Sequence, residues 1–300
     1  MSALRALVSF YTIFRMNITQ EDMDDMETRF HLTPLVGLIF GFLVMLVSAV
    51  MFILSDSLGF GSGLATAALV LLTVYAGSKF LHFDGLTDFG DGMIVSGQQS
   101  DHVRALKDTL VGAGGVGVAL ITVICSAAFY SMYDNRPLII LAFPAVEVFV
   151  KNAMVMAASI GKPGNGMAAR QVERTTARSA VLGSFVSLIA LAILLLAGGA
   201  VLTVCSHTDW CDLLAPMAVI AVVGMAVSTI IGIVMARTAN RVFGMVNGDI
   251  LGASNEVSRP FLVFFILLFA EIFQTVIRWR RWSMPGERAP AWESAGLRSR

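Results

Sequence analysis

Apolar residues gather into seven long runs, and polar residues are confined to the segments between them. The runs cover about Thr33–Leu54, Leu64–Leu81, Ala113–Met132, Leu138–Ile160, Ala180–Val204, Leu214–Met235 and Pro260–Val276. At about 1.5 Å per helical residue, each is long enough, or nearly so, to cross roughly 30 Å of hydrocarbon. The pattern predicts an all-α fold, a polytopic integral membrane helical bundle of about seven transmembrane helices. Leu4–Met16 is apolar but shorter, with Arg5 and Arg15 near its ends. That length suits a helix lying in the membrane interface rather than crossing it. Glycines 59, 61 and 63, Asn135-Arg136-Pro137 and Lys162–Gly166 punctuate the turns.

Lys and Arg between the runs set an orientation. Arg5, Arg15 and Arg29 precede the first run. Arg104 and Lys107 follow the second, Lys162, Arg170, Arg174 and Arg178 the fourth, and Arg237 and Arg241 the sixth. The segments after the first and fifth runs carry no Lys or Arg, and the segment after the third has only Arg136. A cytoplasmic N-terminus accounts for this distribution. Seven crossings would then leave Arg278, Arg280 and Arg281 outside, so either one run is re-entrant or the tail breaks the bias. Residues 1–277 read as a single membrane-embedded catalytic domain and 278–300 as a basic, disordered tail with two prolines.

Composition agrees with the runs: 56% of residues are hydrophobic and 14% charged, against about 25% charged in soluble domains. The formal net charge is zero, which removes any general attraction to nucleic acid. Of three cysteines, Cys125 lies within a run. Cys205 and Cys211 bracket a short loop with His207 and Asp209, and read as a disulfide or free thiols ahead of a zinc site. Glu21, Asp22, Asp24, Asp25 and Glu27 read as a solvated acidic loop.

The chemistry collects at one membrane face. Residues 80–93 contain His82, Asp84, Asp88 and Asp91 among Gly85, Gly90 and Gly92. Steps of four and seven return to one side of a helix, so the three aspartates share a face and call for a cation. After the sixth run, Asp249 and Glu256 are again seven apart, on the same predicted side of the membrane. Five carboxylates there suit a hard divalent cation carrying a phosphate ligand, and Asp84, Asp88, Asp91, Asp249 and Glu256 are the candidate metal and catalytic residues. His82 is a candidate for proton transfer, for metal ligation or for an interfacial position. Lys107 to Gly117 leads glycine-rich into the third run, where a helix N-terminus can take phosphate or small residues can serve helix packing. Arg104 and Lys107 offer positive charge there. Glu147 and Lys151, four apart inside the fourth run, form either an internal salt bridge or, through Lys151, a phosphate contact. Glu271 has no evident partner.

These residues resemble the cobalamin synthase family, the adenosylcobinamide-GDP ribazoletransferases. The family's His-x-Asp-Gly-Leu-x-Asp-x-x-Asp-Gly stretch is met by His82, Asp84, Gly85, Leu86, Asp88, Asp91 and Gly92. Asp108, Thr109 and Gly112 are similar to its Asp-Ser-x-x-Gly element, with threonine for serine and Leu110 where many members carry a basic residue. Gly248, Asp249, Gly252, Ala253 and Glu256 meet its Gly-Asp-x-x-Gly-Ala-x-x-Glu. Pro34–Gly37 is similar to its first span entry, and Glu147 with Lys151 resembles a pair in archaeal-type members. The resemblance runs from about Phe10 to about Phe269. Arg15-Met16 departs from its Arg-x-Pro element.

The resemblance implies a Mg²⁺-dependent transfer at phosphorus in the cell membrane, with the site on the cytoplasmic side. In that transfer α-ribazole, or its 5′-phosphate, attacks adenosylcobinamide-GDP and GMP leaves. It implies nucleotide contacts from Arg104, Lys107, Asp108, Thr109, Gly112 and Lys151, and as partners the bilayer, a second copy of the chain or other cobalamin-assembly enzymes. Two rivals stand beside it. CDP-alcohol phosphotransferases carry Asp-Gly-x-x-Ala-Arg, whereas Asp91-Gly92 is followed here by Met93-Ile94-Val95-Ser96. A cation-coupled transporter would place its ionisable groups at the midplane, and here they collect at one face.

Overall fold

The computed structural model describes residues 2–166 and 168–283, the last eight as backbone only. It is a bundle of helices: α1 (Ser2–Tyr11), α2 (Gln20–Thr28), α3 (Pro34–Leu58), α4 (Gly63–Gly77), α5 (Leu81–Ile94), α6 (Gln99–Leu106), α7 (Ala113–Ser131), α8 (Ile139–Ile160), α9 (Ala169–Arg174), α10 (Ala177–Ser206), α11 (Trp210–Val242) and α12 (Gly248–Ser283). A 3₁₀ turn, Phe30–Leu32, leads into α3. Among the described residues the only β pairing is an isolated bridge between Pro163 and Val246.

The span carrying α8 is the axis of the bundle. Nearly every residue from Ile139 to Ala158 is buried, including Glu147, Lys151 and Asn152. A helix apolar all round must be enclosed on all sides, and α3, α10, α11 and α12 pack around it. Glycines permit the closest approaches. A Cβ on Gly37 would sit 2.4 Å from the Glu147 carbonyl oxygen, and one on Gly232 would sit 2.5 Å from that of Ala153.

Among the described residues, five helices have the length and apolar character of membrane spans: α3 with its 3₁₀ lead, α7, α8, α10 and α11. The second run is not one straight helix. Lys79 and Phe80 both adopt left-handed φ, 56° and 57°, and α4 and α5 meet at 93°. Counting that pair as one broken span gives six among the described residues, and the break falls in the second of the seven expected runs. The seventh run lies within α12. That helix continues to Ser283, and the rest of the expected tail, 284–300, lies outside the described residues.

The acidic segment 21–27 is a helix rather than a loop. Thr19 and Asp22 form a reciprocal capping box at the start of α2, and buried Asp22 takes the Arg5 guanidinium at 2.9 Å. Arg170 of α9 ties to Glu27 at 3.2 Å. Helix α1 buries Ala3, Ala6, Leu7, Val8 and Tyr11 against the bundle, while Ile13, Phe14, Met16 and Ile18 after it are exposed. The three cysteines are free. Glu271, seemingly alone in the sequence, pairs with Arg136.

Candidate active site

Helix α5 is continuous through Gly85, Gly90 and Gly92, and those glycines are where other helices cross it. A Cβ on Gly85 would lie 2.7 Å from the Asp249 carbonyl oxygen, and one on Gly90 would lie 3.0 Å from Gly115 Cα. Close crossing of α5 and α12 therefore brings the two acidic motifs together, as their shared membrane face predicts.

The five carboxylates divide by depth. Asp84 is exposed, Asp88, Asp91 and Asp249 are half-buried, and Glu256 is buried. Asp88 lies within electrostatic reach of Asp249, Asp84 and Asp91. Asp84, Asp88 and Asp249 have no Lys or Arg in ion-pair contact among the described residues, and only Asp249 accepts a side-chain hydrogen bond, from Asn247 at 2.7 Å. Like charges so crowded destabilise one another, which leaves this part of the cluster short of positive charge. Lys107 is the cation whose field reaches Asp249.

Asp91 and Glu256 are engaged elsewhere. Asp91 accepts the backbone N–H of Gly112 at 2.6 Å and of Gly115 at 2.8 Å. The helix N-terminus expected to cradle phosphate at Gly112 is thus filled by a carboxylate of the protein itself, which satisfies free donors at the start of α7. Glu256 accepts from Asn255 Nδ2 at 2.8 Å and from the Tyr75 hydroxyl at 3.1 Å, with Arg259 Nε 3.5 Å away. Both its oxygens already have partners.

The expected Glu147–Lys151 pair does not form. Glu147 is bound by Arg259, a fully buried guanidinium from α12. Lys151 Nζ donates to His82 Nε2 at 2.6 Å and to Asn255 Oδ1 at 2.7 Å. The Tyr11 and Phe40 rings lie 5.9 and 5.8 Å from it. The reason is geometric: the planar guanidinium fork can serve both Glu147 and Glu256, which leaves the single ammonium for neutral acceptors. Arg259 was missed in the sequence, although its i, i+3 spacing from Glu256 was a signal for it.

A cavity of about 300 Å³ opens over this network. It is lined by His82, Asp84, Asp249, Tyr11, Asn165, Gln171 and Asn247 together with Phe10, Met26 and Met154. Helices α1 and α2 and the α8–α9 segment roof it. Arg104 pairs with Asp101 at 3.2 Å, Asp108 accepts from the Leu110 N–H, and both stay outside the cavity lining, as does exposed Thr109. Among the described residues, no three His, Cys, Asp or Glu side chains are gathered at metal-binding separations.

The profile of the cobalamin-5-phosphate synthase family matches residues 3–268. The chain belongs to that family. Relatives named adenosylcobinamide-GDP ribazoletransferase include proteins from Methanococcoides burtonii, 27% identical over 86% of this chain and 88% of its own length, and from Methanocella arvoryzae, 29% identical over 86% and 92%. A third, from Pyrococcus furiosus, is 30% identical over 64% of this chain and 73% of its own. No solved structure matches. For a member of this family, the two acidic motifs meeting at the Gly85–Asp249 crossing mark the candidate centre.

Proposed function

We propose that this protein is an adenosylcobinamide-GDP ribazoletransferase acting from the cytoplasmic face of the cell membrane. The observation that carries the reading is the meeting of the acidic motifs of α5 and α12 beside a nucleoside-sized cavity. A ring hydroxyl oxygen of the ribose of α-ribazole, or of its 5′-phosphate, whose 5′ oxygen is already esterified, bonds to the cobinamide-linked phosphorus. The bond from that phosphorus to the bridging oxygen breaks, GMP leaves with that oxygen, and a cluster carboxylate takes the hydroxyl proton.

Mg²⁺ is the proposed cofactor. Asp84, Asp88 and Asp249 are the carboxylates free to hold it, as hard oxygen donors without a cationic partner, and because no three of them stand at metal-binding separations they would bind it only together with substrate. Substrate phosphate oxygens would complete the shell, which is how Mg²⁺ is commonly bound. When bound, the ion supplies charge neutralisation at the diphosphate. Asp91 and Glu256 act at a distance, Asp91 by fixing α5 to α7 and Glu256 by anchoring α12. Lys107, near Asp249, is placed to attract a polyanion. His82, held through Nε2 by Lys151, has its Nδ1 available to donate to a phosphate oxygen.

The test is incubation of purified protein with Mg²⁺, adenosylcobinamide-GDP and α-ribazole, followed by assay of GMP. The reading predicts GMP in step with the cobalamin product. No GMP from folded protein, in any divalent cation, would sink it.

A further inference from the structure

Asp84 lines two cavities. The first is the polar cavity of about 300 Å³ over His82. The second, about 540 Å³, lies between α4, α5 and α7. Tyr75, Phe80 and Phe83 form one wall of it and Val116, Ala119 and Val123 the other. Asp84 and Thr87 bring it polar atoms, while the Tyr75 hydroxyl is committed to Glu256.

We propose that the second cavity binds the fused-ring aromatic base of α-ribazole, with its ribose toward Asp84, and that the first binds the guanosine of the other substrate. The proposal rests on the activity inferred above and adds where each substrate sits. Two substrates that react at one phosphorus need sites that adjoin a common phosphate-handling group, and Asp84 is the junction. The walls match the two bases. The Tyr75 and Phe80 rings are stacked, centroids 5.7 Å apart at 18°, and Phe83 stands edge-on to both at 5.6 and 6.0 Å. Such a cluster is a ready surface for a flat apolar ring. Guanine in that cavity would leave its donors and acceptors unmet. Asn165 and Gln171 can meet them in the first cavity. Neither cavity suits a corrin ring, which on this assignment lies outside both.

The experiment is substrate selectivity of the full-length enzyme. Ala119 is buried in the wall of the second cavity. Ala119→Leu should raise KM for α-ribazole about tenfold, in line with the effect of one or two carbons in an apolar pocket. It should leave KM for adenosylcobinamide-GDP unchanged and shift kcat/KM toward the riboside of unsubstituted benzimidazole. Val116→Phe, at an exposed position on the same wall, should shift selectivity in the same direction and serves if the first variant does not fold. Gln171→Ala should do the reverse, raising KM for adenosylcobinamide-GDP alone. Unchanged base-size preference in active variants would overturn the proposal, as would KM values for both substrates rising together. Either result is expected if the second cavity holds only lipid chains. Absence of GMP release by the wild-type enzyme would instead defeat the underlying functional reading.

Discussion

Lys151 of α8 donates a hydrogen bond to His82 of α5 across 2.6 Å, inside a protein whose sequence pairs Lys151 with Glu147 by spacing. Because Lys151 occupies Nε2, a neutral His82 must carry its proton on Nδ1. The histidine is then a hydrogen-bond donor of fixed orientation. Lys151→Met should lower kcat on the order of 100-fold, the scale of a displaced catalytic group. His82→Asn, which keeps a donor, should retain more activity than His82→Leu. Steady-state kinetics of the three variants check this, and equal activity in the two His82 variants would remove the donor role.

Asp88 and Asp91 lie three residues apart on one helix, yet their variants should behave differently. Asp91→Ala strips two charge-assisted hydrogen bonds from the start of α7, each worth about 1.5–3 kcal/mol, and should lower thermal stability in detergent. Asp88→Asn removes one of several repelling charges, and should leave stability equal or higher while abolishing GMP release. Melting curves alongside the GMP assay separate the two.

Arg259 holds Glu147 and Glu256 at the centre of the bundle. Arg259→Met leaves two buried carboxylates without their cation and should cost about 3–5 kcal/mol. Adding Glu147→Gln to that variant should recover part of the loss. A double-mutant cycle by thermal or denaturant unfolding measures the coupling, and strict additivity would contradict it.

At the Gly85 crossing, even one methyl group meets the Asp249 backbone at 2.7 Å. Gly85→Ala should push α5 from α12 at a cost of about 1–3 kcal/mol, and should weaken activity more than stability because it separates the two acidic motifs. Wild-type kcat in Gly85→Ala would show that the crossing does not position the site.

The orientation can be read by labelling. Cys211 is free and exposed, at the end of the bundle opposite Asp84. In intact cells it should react with a membrane-impermeant maleimide, whereas a cysteine introduced as Ser100→Cys in α6 should react only after permeabilisation. The reverse pattern would place the acidic site outside.

The seven apolar runs map onto α3, α4, α7, α8, α10, α11 and α12 because helix length in a membrane is set by hydropathy, a property read residue by residue. The acidic motifs were legible for the same reason: charges are scarce in such a chain, and spacing fixes which share a helical face. Partner choice was not legible. Glu147 lies four residues from Lys151 and yet binds Arg259, because burial of α8 lets a guanidinium from a distant helix reach it first. Asp91 resembles Asp88 in the sequence and differs from it only through the free N–H groups of α7 brought against it. The break at Lys79–Phe80 was likewise hidden in one apolar run. The sequence by itself determined an all-helical membrane bundle with its acids at one end. The tertiary structure decided which acids are spent on holding helices together and which are left to meet a ligand, because satisfaction of a buried charge depends on neighbours that only packing supplies.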